Sequence, residues 1–589
     1  MPNIHRHLIT TSDELTWKFD RPVIFLGEWC RTYDRKHIWQ NMDAIVAKPY
    51  GLGQLKKDAD HLEARQLEDK LFPLLCEVLN KHHKTEHNER FWKIIIGHWF
   101  RRYIHLMLNR YKTLEKCLKS YNISGVTFHK NDQYALAPLD SNSAIFAAND
   151  SRWNDALNCN LLNLINYKNF PIEYIHVDDQ IGFRFNSSRK SKTIKKTLQL
   201  CFVILEKATR LFTGSHDALI MHSYLLLKEE IKLNLSLGQF PRLNYPINFE
   251  VLEKPDKILR LALTEKLYQS AENNIWGILN KMLFQMIPVC YLEGFSRLSK
   301  ISNDQPWPKA PKFIFTSNDF DTNEVFKFWV ANKVKKGSKY FIGQHGNNYG
   351  TYRYMNPSIE EIISDKFLTW GWRDNLSQHT PAFIFKIASN RKSISYNPKG
   401  SLLLIEDMRY HRLDTWDRCA EYSIYSEDQI KFIRKLLKCP LNKLILRLHS
   451  SFKYNNPSEQ EFWKENIQSI KIDIDSPIVK LISQSRLVVY SYDSTGILET
   501  MAQNIPTIAF WQNGLDHLRE SAKPYYRSLI DAGVIHTTAE SAASKINKIW
   551  NDIDGWWFSS EVQSARESFC AKYARVSPTP INDLKSLLC

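Results

Sequence analysis

Glycine is scarce in this chain, at 20 residues of 589. That excludes a collagen-like or linker-rich architecture. The ten cysteines stand at 30, 76, 117, 159, 201, 290, 419, 439, 570 and 589, and no two form a CxxC or CxxH pair. Such scatter argues against a structural zinc site or a disulfide framework and for reduced thiols in a cytoplasmic setting. No apolar run reaches the roughly 18 residues that a bilayer span requires. The longest, 275–292, is broken by Asn280, Lys281 and Gln285. The stretch from Met1 to Trp17 lacks the apolar centre of a secretory signal. Walker A, HExxH, GxSxG and nucleic-acid-binding aromatic signatures are missing too.

What the chain does have is the balance of a folded protein, 43% hydrophobic and 24% charged. Its length suits roughly two to four domains with sizeable cores. Aromatics make up 13%, with 17 tryptophans, so large rigid contact surfaces are at hand. A formal net charge of +16 favours anionic partners: phosphorylated substrates, an anionic membrane surface or nucleic acid. The basic residues are dispersed rather than striped, which argues against nucleic acid. The densest run, from Arg184 to Lys196, offers contact with a membrane or polyanion, although charge runs are more often solvated faces.

The run 22–26 (PVIFL) is uninterrupted and β-rich, the pattern of a strand buried on both faces. Residues 55–120 read as helical, 218–226 as a strand leading into a helix at 228–237, and 256–300 as helical again. Between 300 and 311, Ser302, Asn303, Asp304, Pro306, Pro308 and Pro311 crowd together, a composition that punctuates domains. Beyond it, short strands at 312–316, 339–343, 366–369, 401–405, 443–448, 487–490 and 507–510 alternate with helices at 322–335, 427–438, 477–485 and 494–503. This alternation predicts βαβ units and a doubly wound parallel sheet. The expected fold class is α/β with two Rossmann-like domains, a helix-rich one at 1–304 and a second at 305–589.

In such sheets ligands bind beyond the carboxyl ends of the strands. After the strand at 487–490 come Ser491, Asp493, Ser494 and Thr495, a hydroxyl-rich turn opening a helix. Free N–H groups and the positive end of the helix dipole make such a turn a phosphate site. Equally, Ser491 or Ser494 serves as a simple helix cap. After the strand at 443–448 stand Arg447, His449 and Ser450, offering a cation and an imidazole to the same phosphate; a satisfied structural histidine at a strand end is the alternative. The segment FIGQHGNNYG places His345 and Gly346 among three glycines in eight residues, a loop a ligand can approach closely. After the first strand, GEWCRTYDRKH brings Glu28 and Asp34 together with Arg31, Arg35 and His37. One carboxylate there is a candidate general base; an arginine–carboxylate structural network is the alternative.

FLGEWC at 25–30, YDRKHIW at 33–39, GQHGNNYG at 343–350, SRLVVYSYDSTGILETMAQNIPTIAFW at 485–511 and the tail at 540–575 resemble a family of transferases from bacterial surface-carbohydrate biosynthesis. The resemblance runs from about residue 8 to the C-terminus. That family is similar to GT-B glycosyltransferases of lipopolysaccharide, capsule and teichoic-acid synthesis, several of which use cytidine-nucleotide donors. They carry a His, usually followed by Pro, and a later Ser/Thr pair facing the donor phosphate. Here the His is His449, with Ser450 where Pro is usual, and the pair is Ser494-Thr495.

The resemblance implies a nucleotide-sugar donor, CMP-ulosonic acid among the candidates, on domain 305–589. A glycan or lipid-linked acceptor would lie on domain 1–304, with Glu28 or Asp34 as base and His345 stabilising charge. Arg447, His449, Ser491, Ser494, Thr495 and Gly346 would hold the donor phosphate, with no cofactor or metal and no nucleic acid. The setting would be cytoplasmic, at the inner face of an anionic membrane. The C-terminal helices would return to the N-terminal domain, anchored by Trp556 and Trp557. A phosphotransferase using a CDP-alditol donor, or a non-catalytic glycan- or nucleotide-binding scaffold, are the other readings.

Overall fold

A computed structural model describes residues 4–130, 136–165, 170–176, 212–242, 249–267, 274–388 and 395–589. The basic run from Arg184 to Lys196 lies outside these residues.

Three parallel sheets form the frame. The first consists of β1 (Arg6–Ile9), β2 (Val23–Phe25), β3 (Ala44–Val46), β4 (Ile123–His129) and β5 (Ile172–Ile175), in the order β3-β2-β1-β4-β5. The second contains β6 (Leu219–Met221), β7 (Phe313–Thr316), β8 (Lys339–Gly343), β9 (Lys366–Thr369) and β10 (His379–Pro381), ordered β10-β9-β8-β7-β6. The third has β11 (Ser401–Ile405), β12 (Leu444–Arg447), β13 (Ile472–Asp473), β14 (Ser485–Tyr490), β15 (Thr507–Phe510) and β16 (Ile535–His536), ordered β13-β12-β11-β14-β15-β16. Central strands such as VIF, FIFT and TIAF are buried at every residue. Helices cover both faces, which is why these runs are continuously apolar rather than alternating.

The α/β class with parallel sheets is as the sequence predicts; the number of sheets is not. A division at 304/305 passes through the second sheet, because Leu219–Met221 pairs in register with Ile314–Thr316. The proline-rich stretch before Pro311 is a crossover inside one unit. It ends the helix Phe295–Asn303 and turns the chain into β7. Prolines that stop a helix leave the same mark in a sequence as prolines in a linker.

Two long helices, Gln54–His83 and Glu89–Ser120, stand between β3 and β4 and join the first sheet to the second. The first closes at Lys84, in the left-handed region at φ 54°. The second is capped by Asn88, whose side chain accepts the Phe91 N–H at 2.9 Å. Its face then packs on the helix Glu324–Lys335, with Phe91 edge-on to Phe328 at 6.0 Å.

The C-terminal segment crosses from the third sheet to the second, and the two tryptophans hold it on the third. Trp557 is fully buried and its indole donates to Asn504 at 2.9 Å, while Trp556 donates to the Ala532 carbonyl. Both partners belong to the unit around the third sheet. Further on, the Arg575 N–H donates to the Trp370 carbonyl. The helix Pro580–Leu588 then covers the second sheet, burying Leu584 and Leu588 in a cluster with Phe313, Phe315, Phe341 and Leu368.

Candidate functional site

Strand order reverses in the first sheet between β1 and β4 and in the third between β11 and β14. Such reversals open a crevice at the carboxyl ends of the two strands. In the third sheet, Glu406 and Asp407 follow β11, and Ser491, Tyr492 and Asp493 follow β14. Between them lies a cavity of about 250 Å³, walled by Asp407, Tyr410, Tyr422, Tyr425, Tyr492 and Trp511. Tyr352 and Tyr354 close it from the loop after β8, and Lys57 from the helix Gln54–His83.

The helix Thr495–Ala502 starts beside this crevice. Ser494 occupies its N-cap position, yet its hydroxyl caps no N–H of the helix. The residue is 4% exposed, and its Oγ makes no hydrogen bond of ordinary geometry among the described residues, its polar neighbour being the Tyr492 hydroxyl. A buried hydroxyl at a helix start that bonds no N–H of the helix is not a cap. Thr495 faces the second sheet, its Oγ1 accepting the Asn347 N–H at 2.9 Å. Gly346 permits that approach, since a Cβ there would lie 3.1 Å from Thr495 Oγ1. Asp493 fastens the junction, accepting from Asn347 Nδ2 at 2.8 Å and from the Tyr526 hydroxyl, with His517 at 3.0 Å. Of the predicted residues, Gly346, Ser494 and Thr495 therefore meet, with His345 on the same loop.

His345 sits among Phe320, Tyr349 and Tyr224, its Nδ1 3.1 Å from the Tyr349 hydroxyl. Burial lowers its pKa, with Glu360 and Asp321 opposing. Ser491 is spoken for: its Oγ donates to the Ile405 carbonyl at 2.9 Å and lies 2.7 Å from the Tyr425 hydroxyl. Arg447 and His449 stand at the end of β12, which β11 separates from β14 and the Ser494 turn. Arg447 donates to the Asp473 carbonyl at 3.2 Å. His449 Nδ1 closes its own turn on Ser451, 2.7 Å from the hydroxyl, and burial lowers its pKa. Glu28 is held in a two-pronged ion pair by Arg31 at 2.7 and 2.8 Å, the network alternative. Asp34 is exposed, at the rim of two cavities where the first sheet meets the third.

Two groups escaped the sequence reading. The first is the carboxyl cluster Glu406, Asp407 and Glu459. Burial raises all three pKa values, Glu406 well above the usual range and Asp407 and Glu459 to about 7, with their mutual repulsion adding to it. Tyr425 bonds Glu406 and Tyr422 bonds Glu459, each at 2.9 Å. Two acids directly after an apolar strand were a visible signal. Since the folded cluster keeps protons that an unfolded chain releases, its stabilisation is full below about pH 4.5 and fades as pH rises towards neutrality. Melting temperature should fall between pH 5 and 7, and Glu406→Gln should flatten that fall; an identical slope in the variant counts against the cluster.

The second is a pair, His222 Nδ1 to Asp319 Oδ2 at 2.7 Å. These residues follow the neighbouring strands β6 and β7. The histidine side chain is 53% exposed and the aspartate 6%. The Asp319 hydrogen bond raises the imidazole pKa against the effect of burial. His222 and Tyr224 take left-handed φ values of 45° and 64°, a cost non-glycine residues bear where the surroundings demand it. Tyr224 lies under Lys386 at 5.1 Å, and Lys386 pairs with Glu499 of the helix Thr495–Ala502 at 3.4 Å. An Asp319-paired imidazole thus stands on the second sheet, linked through Tyr224, Lys386 and Glu499 to the helix Thr495–Ala502 on the third.

Residues 6–588 match the sequence profile of the LIC12162 family of transferases, and the chain belongs to that family. It is a transferase. No curated protein matches the sequence. Among solved structures, similarity extends to a Listeria monocytogenes protein assigned as a UDP-N-acetylglucosamine 2-epimerase, 9% identical over 62% of this chain and 100% of that one, TM-score 0.35. The spinosyn rhamnosyltransferase SpnG with spinosyn aglycone is 10% identical over 63% and 99%, TM-score 0.32. WaaG, a glycosyltransferase involved in lipopolysaccharide biosynthesis, is 10% identical over 63% and 99%, TM-score 0.25. Likenesses this distant carry no argument about the chemistry of the chain.

Proposed function

We propose that the protein is a glycosyltransferase that moves a sugar from a nucleotide-activated donor to a growing cell-surface glycan. The observation that carries this reading is the uncapped helix start, where the buried Ser494 hydroxyl caps no N–H and makes no hydrogen bond of ordinary geometry. A donor phosphate placed there meets free N–H groups, the helix dipole and one hydroxyl. The aromatic crevice alongside suits the nucleoside, with cytidine donors, CMP-ulosonic acids included, first in line. The Asp319-oriented His222 takes the proton of the acceptor hydroxyl, in place of Glu28, which Arg31 already holds. The helix end neutralises the leaving phosphate without a metal ion. Among the described residues no helix is long and apolar enough to cross a membrane. The +16 charge supports work at an anionic leaflet bearing lipid-linked acceptors.

Incubation with a panel of labelled nucleotide sugars and cell-wall glycans tests the reading. The expected product carries the sugar alone, free nucleotide is released, and EDTA leaves the rate unchanged. Transfer of the phosphate together with the labelled group, or loss of activity in EDTA restored by Mg²⁺, would overturn it.

A further inference from the structure

A second cavity, about 630 Å³, lies between the first and third sheets. It opens beside the reversal of strand order in the first sheet, where Ser12, Asp13 and Glu14 follow β1. Its wall carries charge of both signs, so the pairing within it decides what it can hold. Asp13 is engaged by Arg152 at 2.5 Å and by His129 at 3.1 Å. Glu14 is held by both prongs of Arg35, at 2.5 and 2.6 Å. Asp34 is exposed to solvent. Two guanidinium groups remain.

Arg412 is 8% exposed, and its side chain makes no hydrogen bond or ion pair among the described residues. Its guanidinium carbon lies 3.6 Å from the centre of the Trp29 ring. The indole thus covers one face of the cation and leaves its N–H edge without an acceptor. Arg409, on the same loop, has one long contact, Nη2 to Cys419 Sγ at 3.5 Å. The nearby Asp417 does not serve either, since its Oδ1 caps the helix Arg418–Lys435 by accepting from Cys419 and Ala420. The loop is pinned from both sides. The Arg412 N–H donates to Asn149 Oδ1 at 2.9 Å, and its carbonyl accepts from Arg110 at 3.2 Å.

The charge of Asp417 reaches both guanidinium groups, yet two cations sharing one helix-capping carboxylate stay under-compensated, and a fold that fixes the Arg412 backbone while withholding a direct acceptor prepares them for an anion. We propose that this cavity is a second binding site, taking an oxyanion group, a carboxylate or phosphate, on the forked donors of Arg412 and Arg409. Tyr410 lines both this cavity and the aromatic crevice, so the two ligands would lie on either side of one ring. Identifying the anion as the acidic group of a glycan acceptor rests on the glycosyl-transfer reading; the site itself does not.

Thermal-shift and calorimetric titrations test the site on the full chain, in the Ser494→Ala background so that the helix start, left with its N–H groups alone, contributes less. Inorganic phosphate and D-glucuronate are the probes, and glucose is the neutral control. At least one anion should bind saturably and glucose should not; which anion binds tells phosphate from carboxylate. Arg412→Met should weaken that binding at least 10-fold, with a ligand-free melting temperature equal to or above that of the parent. Should this variant not fold, the arginine is a packing element and the proposal fails, unless Arg409→Met, folded, shows the same 10-fold loss. Undiminished binding in both variants, or no anion binding in the parent, overturns it. A site present without glycosyl transfer would leave the titrations intact and only the acceptor assignment wrong.

Discussion

Replacing His222 by alanine should lower kcat by about 10²- to 10⁴-fold, the usual contribution of a general base. Donor affinity should be unchanged, and so should the fold, because the side chain is more than half exposed. The pH profile gives a second, independent reading. Asp319 raises the pKa of His222 above its ordinary value of 6.5, and the base works only when deprotonated. The acid limb of kcat/KM should therefore lie above pH 6.5, with activity rising as pH passes through the folded pKa. Asp319→Asn should move that limb to lower pH while reducing the rate. The same pair stabilises the fold most below the unfolded pKa and loses that contribution as pH rises, so its effects on activity and stability run in opposite directions. Near-wild-type turnover in His222→Ala would return the role of base to Glu28 or Asp34, which Glu28→Gln and Asp34→Asn would then separate.

Ser494→Ala should weaken donor binding roughly 10- to 150-fold, the worth of one hydrogen bond to a charged group at about 1.5–3 kcal/mol. Thr495→Val should act in the same direction, with an added cost at the junction because Thr495 Oγ1 accepts the Asn347 N–H. The telling measurement is the melting temperature of the serine variant without donor. A true N-cap costs about 1 kcal/mol when removed. Here the hydroxyl caps nothing, so Ser494→Ala should melt with the wild type while binding nucleotide sugars poorly. A lowered melting temperature with unchanged donor affinity would make Ser494 a structural residue after all.

Much of the second and third sheets was legible in the sequence. Strands at 339–343, 366–369, 401–405 and 507–510 fall where apolar runs placed them. The first sheet was nearly invisible apart from PVIFL, because RHLI, AIV and IEYI are short and carry charge or partial exposure. The turn at Ser494-Thr495 was legible as a helix start but not as a cap or a ligand site, a choice that depends on where one hydroxyl points. The pairing of His222 with Asp319 could not be read at all. It needs β6 beside β7, and the intervening chain carries no local mark of that neighbourhood. The placement of Arg447 and His449 was hidden for a related reason: strand spacing in the chain does not reveal that β11 inserts between β12 and β14.

The packing of the helix Pro580–Leu588 on the second sheet has a consequence for biosynthesis. The last strand of that sheet ends at Pro381, and its covering helix is completed at Leu588. At about 5–20 residues per second, a ribosome takes on the order of 10–40 s to cover that stretch. During that interval Phe313, Phe315, Phe341 and Leu368 lack the cover of Leu584 and Leu588. The nascent chain thus carries an aromatic, aggregation-prone face late into translation. Chaperone supply and growth temperature should therefore govern soluble yield more strongly than the stability of the finished protein does.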